Sequence, residues 1–305
     1  MRYPVVMRQS ALLATALMFV LHPRVGRAQS ARGEWSAVDA ALGRSGKAQP
    51  GDVQRYTFPR SDLHVMVGDV AVKPALALTS WVAFRRLANS GAMAMGDLVL
   101  SEAEVPAVIE KLEAGGVHET ALHNHLQHES PRVMYLHVEG RGDPAALAAA
   151  IHAALITTGT PATAPTPAAG APFALDTAAL AHALQRSGTV NGGVYQVSVP
   201  RAQTIRMGGE DIPPAMGVAT ALNFQPSGNG KAVVTGDFVL TADEVDPVMQ
   251  ALRQQRIQVT ALHSHMLMEE PRLLFLHFWA DDDALRLAEA LRGALARTQS
   301  RAAGL

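Results

Sequence analysis

Cysteine is missing from all 305 residues. No disulfide can brace the fold, and no thiolate can act as nucleophile or metal ligand. Any metal must be held by nitrogen and oxygen, and no lipid can be carried on an N-terminal cysteine. An excess of one charge is missing too, with a formal net charge of −1. No basic stripe with interleaved aromatics runs along the chain, so nucleic acid is excluded as a partner. A P-loop, a GxGxxG turn and a Gly-x-Ser-x-Gly elbow are all absent. Aromatics make up only 5% of the residues, but hydrophobic residues make up 48%. That is ample for sizeable cores and argues against disorder.

The N-terminus reads as an export signal over residues 1–28. Arg2 and Arg8 supply the positive start, Ala11–Leu21 the apolar run, and Gly26–Ala28 the small-residue cleavage site. The run is too short for a comfortable permanent span. The expected product is periplasmic or secreted, with no stable membrane insertion after processing.

The chain repeats itself. "ALHNHLQHESPRVMYLH" at Ala121–His137 returns as "ALHSHMLMEEPRLLFLH" at Ala261–His277. Between Gly96–Gly140 and Gly236–Ala280, 18 of 45 positions are identical without a gap. The match continues upstream: "YTFPR" at Tyr56 answers "YQVSVPR" at Tyr195. The repeated unit is therefore a whole domain. Residues 31–156 and 173–301 form the two copies. Between them, 157–172 is rich in Pro, Ala and Thr and reads as a semi-extended linker. This layout predicts halves that fold on their own, Phe173–Leu305 for example.

Each unit reads as mixed α and β. "DLHVMV" and "ALALTSWVAF" suit strands, and "GDLVL" and "GDFVL" suit short strands opened by a Gly-Asp turn. Ser101/Glu104 and Thr241/Glu244 are capping boxes at helix starts, which accounts for both glutamates without catalysis. Two amphipathic helices with acidic N-terminal ends follow the repeated motif. The order strand, helix, strand, strand, helix predicts an α+β fold: a mainly antiparallel sheet with helices on one face, ferredoxin-like with extra N-terminal strands.

On a strand, His123 and His125 leave the same face. A hairpin brings His137 back beside residues 121–125, about 5 Å away. Glu129 at the turn adds an oxygen. The candidate metal ligands are thus His123, His125, Glu129 and His137, then His263, His265, Glu269 and His277. Three imidazoles and a carboxylate suit divalent Zn, Mn, Fe or Cu without distinguishing them. Arg132 and Arg272 are candidates to orient the glutamate or hold a small anionic ligand. The chain has 12 histidines, and only these six recur in register; His118 is answered by Gln258, His128 by Met268. Each set sits in one hairpin, which predicts two ions per chain, and Ser130 in place of Glu270 marks the first copy as the weaker. One composite site at the domain interface is the competing arrangement. The functions that fit are metal binding, with or without metal-assisted hydrolysis or redox chemistry. The alternative is a ligand-binding or interaction module in which Glu–Arg pairs and packed histidines merely hold the hairpins.

His-x-His followed by Glu also resembles the first cupin motif, but the second cupin motif is missing. "GDFVLTADEVDPVMQALR" with "VTALHSHMLMEEPRLLFLHFWA" resembles the LppY/LpqO family, a domain of unknown function. The resemblance covers both units and is strongest in the second. It implies an exported bacterial protein. Mycobacterial members are lipoproteins, from which this cysteine-free chain departs. It implies no activity.

Overall fold

The computed structural model describes residues 35–88, 91–163 and 172–302. The export signal, the linker's 164–171 and the last three residues lie outside the described residues. The first half runs α1 (Ser36–Leu42), β1 (Lys47–Gln49), β2 (Val53–Pro59), β3 (Met66–Val67), β4 (Val70–Ala71), α2 (Pro74–Ala77), β5 (Thr79–Arg86) and β6 (Ala92–Ser101). A 3-10 turn leads to α3 (Val105–Ala114), then β7 (His118–His123), β8 (Glu129–Ser130), β9 (Val133–Gly142) and α4 (Pro144–Leu155).

The second half repeats this with α5 (Thr177–Leu184), β10 (Thr189–Asn191), β11 (Val194–Pro200), β12 (Ile205–Met207), β13 (Glu210–Ile212), β14 (Ala219–Gly228) and β15 (Lys231–Leu240). It closes with α6 (Ala242–Gln254), β16 (Gln258–His263), β17 (Glu269–Glu270), β18 (Leu274–Asp283) and α7 (Ala284–Leu295). Each half builds a six-stranded antiparallel sheet, ordered β1-β2-β5-β6-β9-β7 and β10-β11-β14-β15-β18-β16. The α+β expectation, with similar halves, holds.

Local chemistry explains the elements. Ser101/Glu104 and Thr241/Glu244 form the expected capping boxes. Each of those glutamates also accepts both guanidinium arms of a buried arginine, Arg60 or Arg201. Asp143 and Asp283 cap α4 and α7 by accepting backbone amides. Part of "ALALTSWVAF" differs from the strand reading. Pro74 opens one helical turn, and the strand begins only at Thr79, because proline's fixed φ suits the first position of a helix. The linker's start is held to the body: Gly159 N–H donates to Glu104 at 2.8 Å, and Arg44 donates to the carbonyls of Pro161 and Ala162.

Strand alternation sorts each sheet into two faces. On β15 and β18, Val234, Phe238, Leu276 and Phe278 join α5, α6 and α7 in one core. The opposite faces turn toward the other half. Met93, Met95 and Ala83 pack with Ile205, Met207, Ile212 and Met216. Reciprocally, Val65, Val72, Leu76 and Leu78 share a core with Val194 and Val233. Polar contacts run the same way: Arg55 donates to the Ala215 carbonyl, Gln196 to Ala75 and Arg141 to Met207. From Ser36 onward the chain is one compact unit. The two halves therefore share cores in the folded chain. Each half lends the β-hairpin and helical turn after its second strand, β2 or β11, to cover the partner's sheet.

Candidate metal centre

The repeated motif forms the hairpin its alternation predicts. Ala121 pairs with His137 and His123 with Tyr135, so His123, Tyr135 and His137 share a face. The second half repeats the register with Ala261 opposite His277 and His263 opposite Phe275. His125 and His265 follow just beyond their strands. A bulge at Thr120 frees its side chain from the ladder, and its hydroxyl donates to the carbonyl of His265 at 2.6 Å. One half's edge strand is thus tied to the other half's histidine loop.

The face that carries these imidazoles is the face turned toward the other half. All six rings therefore meet in one cluster. The closest pairs all cross between halves: His123 on His263 at 3.6 Å between ring centroids, His137 on His265 at 3.6 Å, and His125 on His277 at 3.9 Å. Tyr135 backs His125, and Phe275 backs His265. The sequence expectation of one self-sufficient site per hairpin is corrected here. Ligand atoms converge within 4.8 Å in two groups, His123/His125/His137/His265 and His123/His263/His277, and both draw on both halves.

Glu129 and Glu269 belong to neither group. Glu129 pairs with Val67 in a small separate sheet, and Glu269 with Met207. The Glu269 carboxylate accepts the Leu273 amide. Arg132 and Arg272 are more than half exposed; Arg132 lies 3.9 Å from Glu102, and Arg272 donates to the Leu267 carbonyl. Arg272 lies 3.6 Å from the Glu269 carboxylate, the orienting contact the sequence suggested, whereas Arg132 lies beside Glu102. Asn124, Gln127, His128, Glu129, Arg132 and Thr260 line an open cleft of about 550 Å³.

The sequence reading missed Asp97 and Asp237. "GDLVL" and "GDFVL" looked like turns opening strands, yet Gly96–Asp97 and Gly236–Asp237 lie in the middle of ten-residue strands. Asp97 pairs with His137 and Asp237 with His277. Both carboxylates therefore leave the histidine-bearing face. A Cβ on Gly96 would come within 2.8 Å of the Trp81 carbonyl, and one on Gly236 would overlap the Ala221 carbonyl. Glycine lets the neighbouring strand close in beside each aspartate. The signal was present in the sequence: the Gly-Asp pair recurs at the same 140-residue offset as the histidines.

The electrostatics suit a cation. The Nε2 atoms of all six histidines are buried with no hydrogen-bond partner, as is Oδ1 of Asp97. Each such orphan costs about 1–3 kcal/mol unless a ligand satisfies it. Nδ1 of His123, His263 and His277 lies 3.4, 3.3 and 3.2 Å from the carbonyls of Asn124, Ser264 and Gly236. An Nδ1–H donating there leaves the Nε2 lone pair free for a metal. Burial, then the neighbouring His263, pulls His123 down to about 3. Burial and mutual repulsion hold His125, His137 and His265 well below the usual imidazole range. The rings are therefore neutral at physiological pH, as ligation requires. Burial, then the nearby Asp237, pushes Asp97 up to about 8 despite the opposing Arg55. Burial raises Asp237 to about 7.

The family described as Domain of Unknown Function (DUF1259) matches residues 36–157 and 178–297, the two halves in turn. No curated protein matches the chain. Among solved structures, it is similar to a trimeric bacterial microcompartment shell protein, PduB, with 15% identity and a TM-score of 0.22 over 82% of this chain and 89% of that one. It is also similar to EtuB from Clostridium kluyveri, with 10% identity and a TM-score of 0.20 over 83% and 91%. At these TM-scores the likeness carries no argument about assembly or activity.

Proposed function

The chain belongs to the DUF1259 family, and from that premise we propose that it is an exported protein that binds a divalent transition metal between its two halves. One observation carries the reading: six histidine Nε2 atoms, three from each half, are buried together without a partner. A structural role for the motif would leave each ring nitrogen with a hydrogen bond. Zinc, manganese, iron and copper in the divalent state all accept such a nitrogen-rich set. Export rests on the residue 1–28 pattern and on the resemblance of Gly236–Ala280 to LppY/LpqO sequences.

A catalytic role has one observation in its favour. The open cleft beside Arg132 is lined by Asn124, which lies between His123 and His125 in sequence. A small anionic substrate entering there would meet the Arg132 guanidinium first. A bound divalent ion supplies Lewis acidity toward a substrate oxygen or water. The chain's own part is to hold neutral imidazoles in place and exclude bulk water from them.

The test is zinc binding by tag-free, chelator-treated full-length protein. Bound zinc that is lost in both His137→Ala and His265→Ala supports a site shared by the halves. Unchanged affinity in both variants would return the histidines to a packing role. Intact-mass measurement of exported protein should show loss of about 28 residues, as the signal pattern implies.

A further inference from the structure

This inference rests on reading the histidine cluster as a metal centre, and it concerns how many ions that centre holds. The donors exceed the needs of one ion. A tetrahedral site uses four ligands and an octahedral one six. The cluster offers six imidazoles, and the strand register adds a carboxylate at Asp97 and another at Asp237.

The donors also divide in two. Exchanging the halves, a shift of 140 residues, turns the His137·His265 stack into the His277·His125 stack. These two stacks are almost equally tight, at 3.6 and 3.9 Å. His123 and His263 lie against each other between them, at 3.6 Å. The two convergent ligand groups share only His123. Asp97 is the register partner of His137, and Asp237 of His277, so each stack has its own carboxylate.

The Asp97–His137 pair is informative. Oδ1 and Nε2 are 3.9 Å apart, both buried, neither hydrogen-bonded. That is too long for a hydrogen bond. It is within the span of two ligand atoms that each sit about 2.0–2.2 Å from one ion. A cavity of about 10 Å³, lined mostly by apolar residues such as Trp81, Met95 and Met266, also touches His137 and His265. It is roughly the size of one water-sized sphere.

We propose that the cluster is a dinuclear centre. One ion takes His125, His137 and His265 with Asp97, and the other His263 and His277 with Asp237. His123, common to both groups, completes the ligand sets. Each ion thus bridges the halves, and the two carboxylates offset part of the paired positive charge.

Tag-free full-length protein, equilibrated with Zn(II) and desalted, should carry two zinc ions per chain by elemental analysis. The isosteric Asp97→Asn/Asp237→Asn variant should retain one or fewer, while His118→Ala/His128→Ala retains two. With Cu(II) as probe, the two-copper form should give a magnetically coupled paramagnetic-resonance signal, because ions in two-metal sites sit about 3.5–4 Å apart. The wild-type stoichiometry and copper spectrum need no substitution, so they stand even where the double variant fails to fold. One zinc per chain overturns the dinuclear centre and leaves the metal-binding reading in place. No zinc overturns both. Two coppers with uncoupled spectra identify the second as adventitious and overturn the proposal.

Discussion

Asp97 and His137 face each other across β6 and β9, with Oδ1 3.9 Å from Nε2 and neither atom hydrogen-bonded. A buried acid beside a buried base, both kept neutral, sets how the metal-free protein responds to pH. Asp97 and Asp237 are raised from 3.8 to about 8 and about 7. A raised carboxyl contributes stability fully present below its unfolded value and lost as pH rises through its folded value. The six imidazoles are lowered from 6.5. Their contribution is present above 6.5 and lost as pH falls toward their folded values. Below that point six imidazoles outweigh two carboxyls, and above it only the carboxyls act. Metal-free protein should be most stable near pH 6.5. Denaturant titrations in chelator from pH 4 to 9 check this, and Asp97→Asn should flatten the alkaline limb. Stability still climbing at pH 8 would contradict it.

His137 and His265 come from opposite halves, yet their rings stack at 3.6 Å. Replacing either with alanine should weaken zinc binding by about 10–100-fold or more. The double variant should lose less affinity than the sum of the two single losses, because the two act on one ion. Additive losses would indicate independent sites.

Phe173–Leu305 expressed alone should fail to unfold cooperatively. Val239 and Phe275 share their core with Met93 and Met95 of the other half, and Val194 and Val233 depend on Leu76 and Leu78. Cutting the chain in the linker exposes these faces. Circular dichroism and a thermal melt of the fragment test this, and co-expression with residues 29–163 should restore the transition. A sharp melt of the isolated fragment would mean that its exposed face is self-sufficient.

Gly236→Ala should destabilise the protein by about 1–3 kcal/mol, because the added methyl overlaps the Ala221 carbonyl and must push β14 from β15. Thermal unfolding reads the cost. Zinc affinity should fall as well, since the seam that opens lies beside Asp237 on β15.

Arg201→Met should cost more, about 3–5 kcal/mol, by leaving the buried Glu244 carboxylate without its partner. Because this pair has no contact with the imidazoles, zinc stoichiometry should hold at temperatures where the variant stays folded. Loss of zinc in a folded variant would reveal coupling between cap and cluster.

Much of this was determined by the sequence. The repeat fixed two like halves. The capping boxes at Ser101 and Thr241 fixed where two helices start. Strand alternation fixed His123, Tyr135 and His137 on one face. These are short-range consequences of backbone geometry, so they hold wherever the segment is placed. Gly96–Asp97 was misread because the same pair favours a turn in isolation. Hydrogen bonding to strands on both sides overrides that preference.

What covers the histidine face was decided only in three dimensions. Periodicity says which side of a sheet a ring leaves, not what lies opposite. The opposite wall is another sheet 140 residues away, brought there because each half buries its second apolar face under the other's hairpin. That exchange joins His137 to His265 and His125 to His277. It draws Glu129 and Glu269 into small sheets of their own and leaves Asp97 3.9 Å from His137. The residue types were legible along the chain; the histidine cluster follows from burying apolar surface between segments with no local relation to each other.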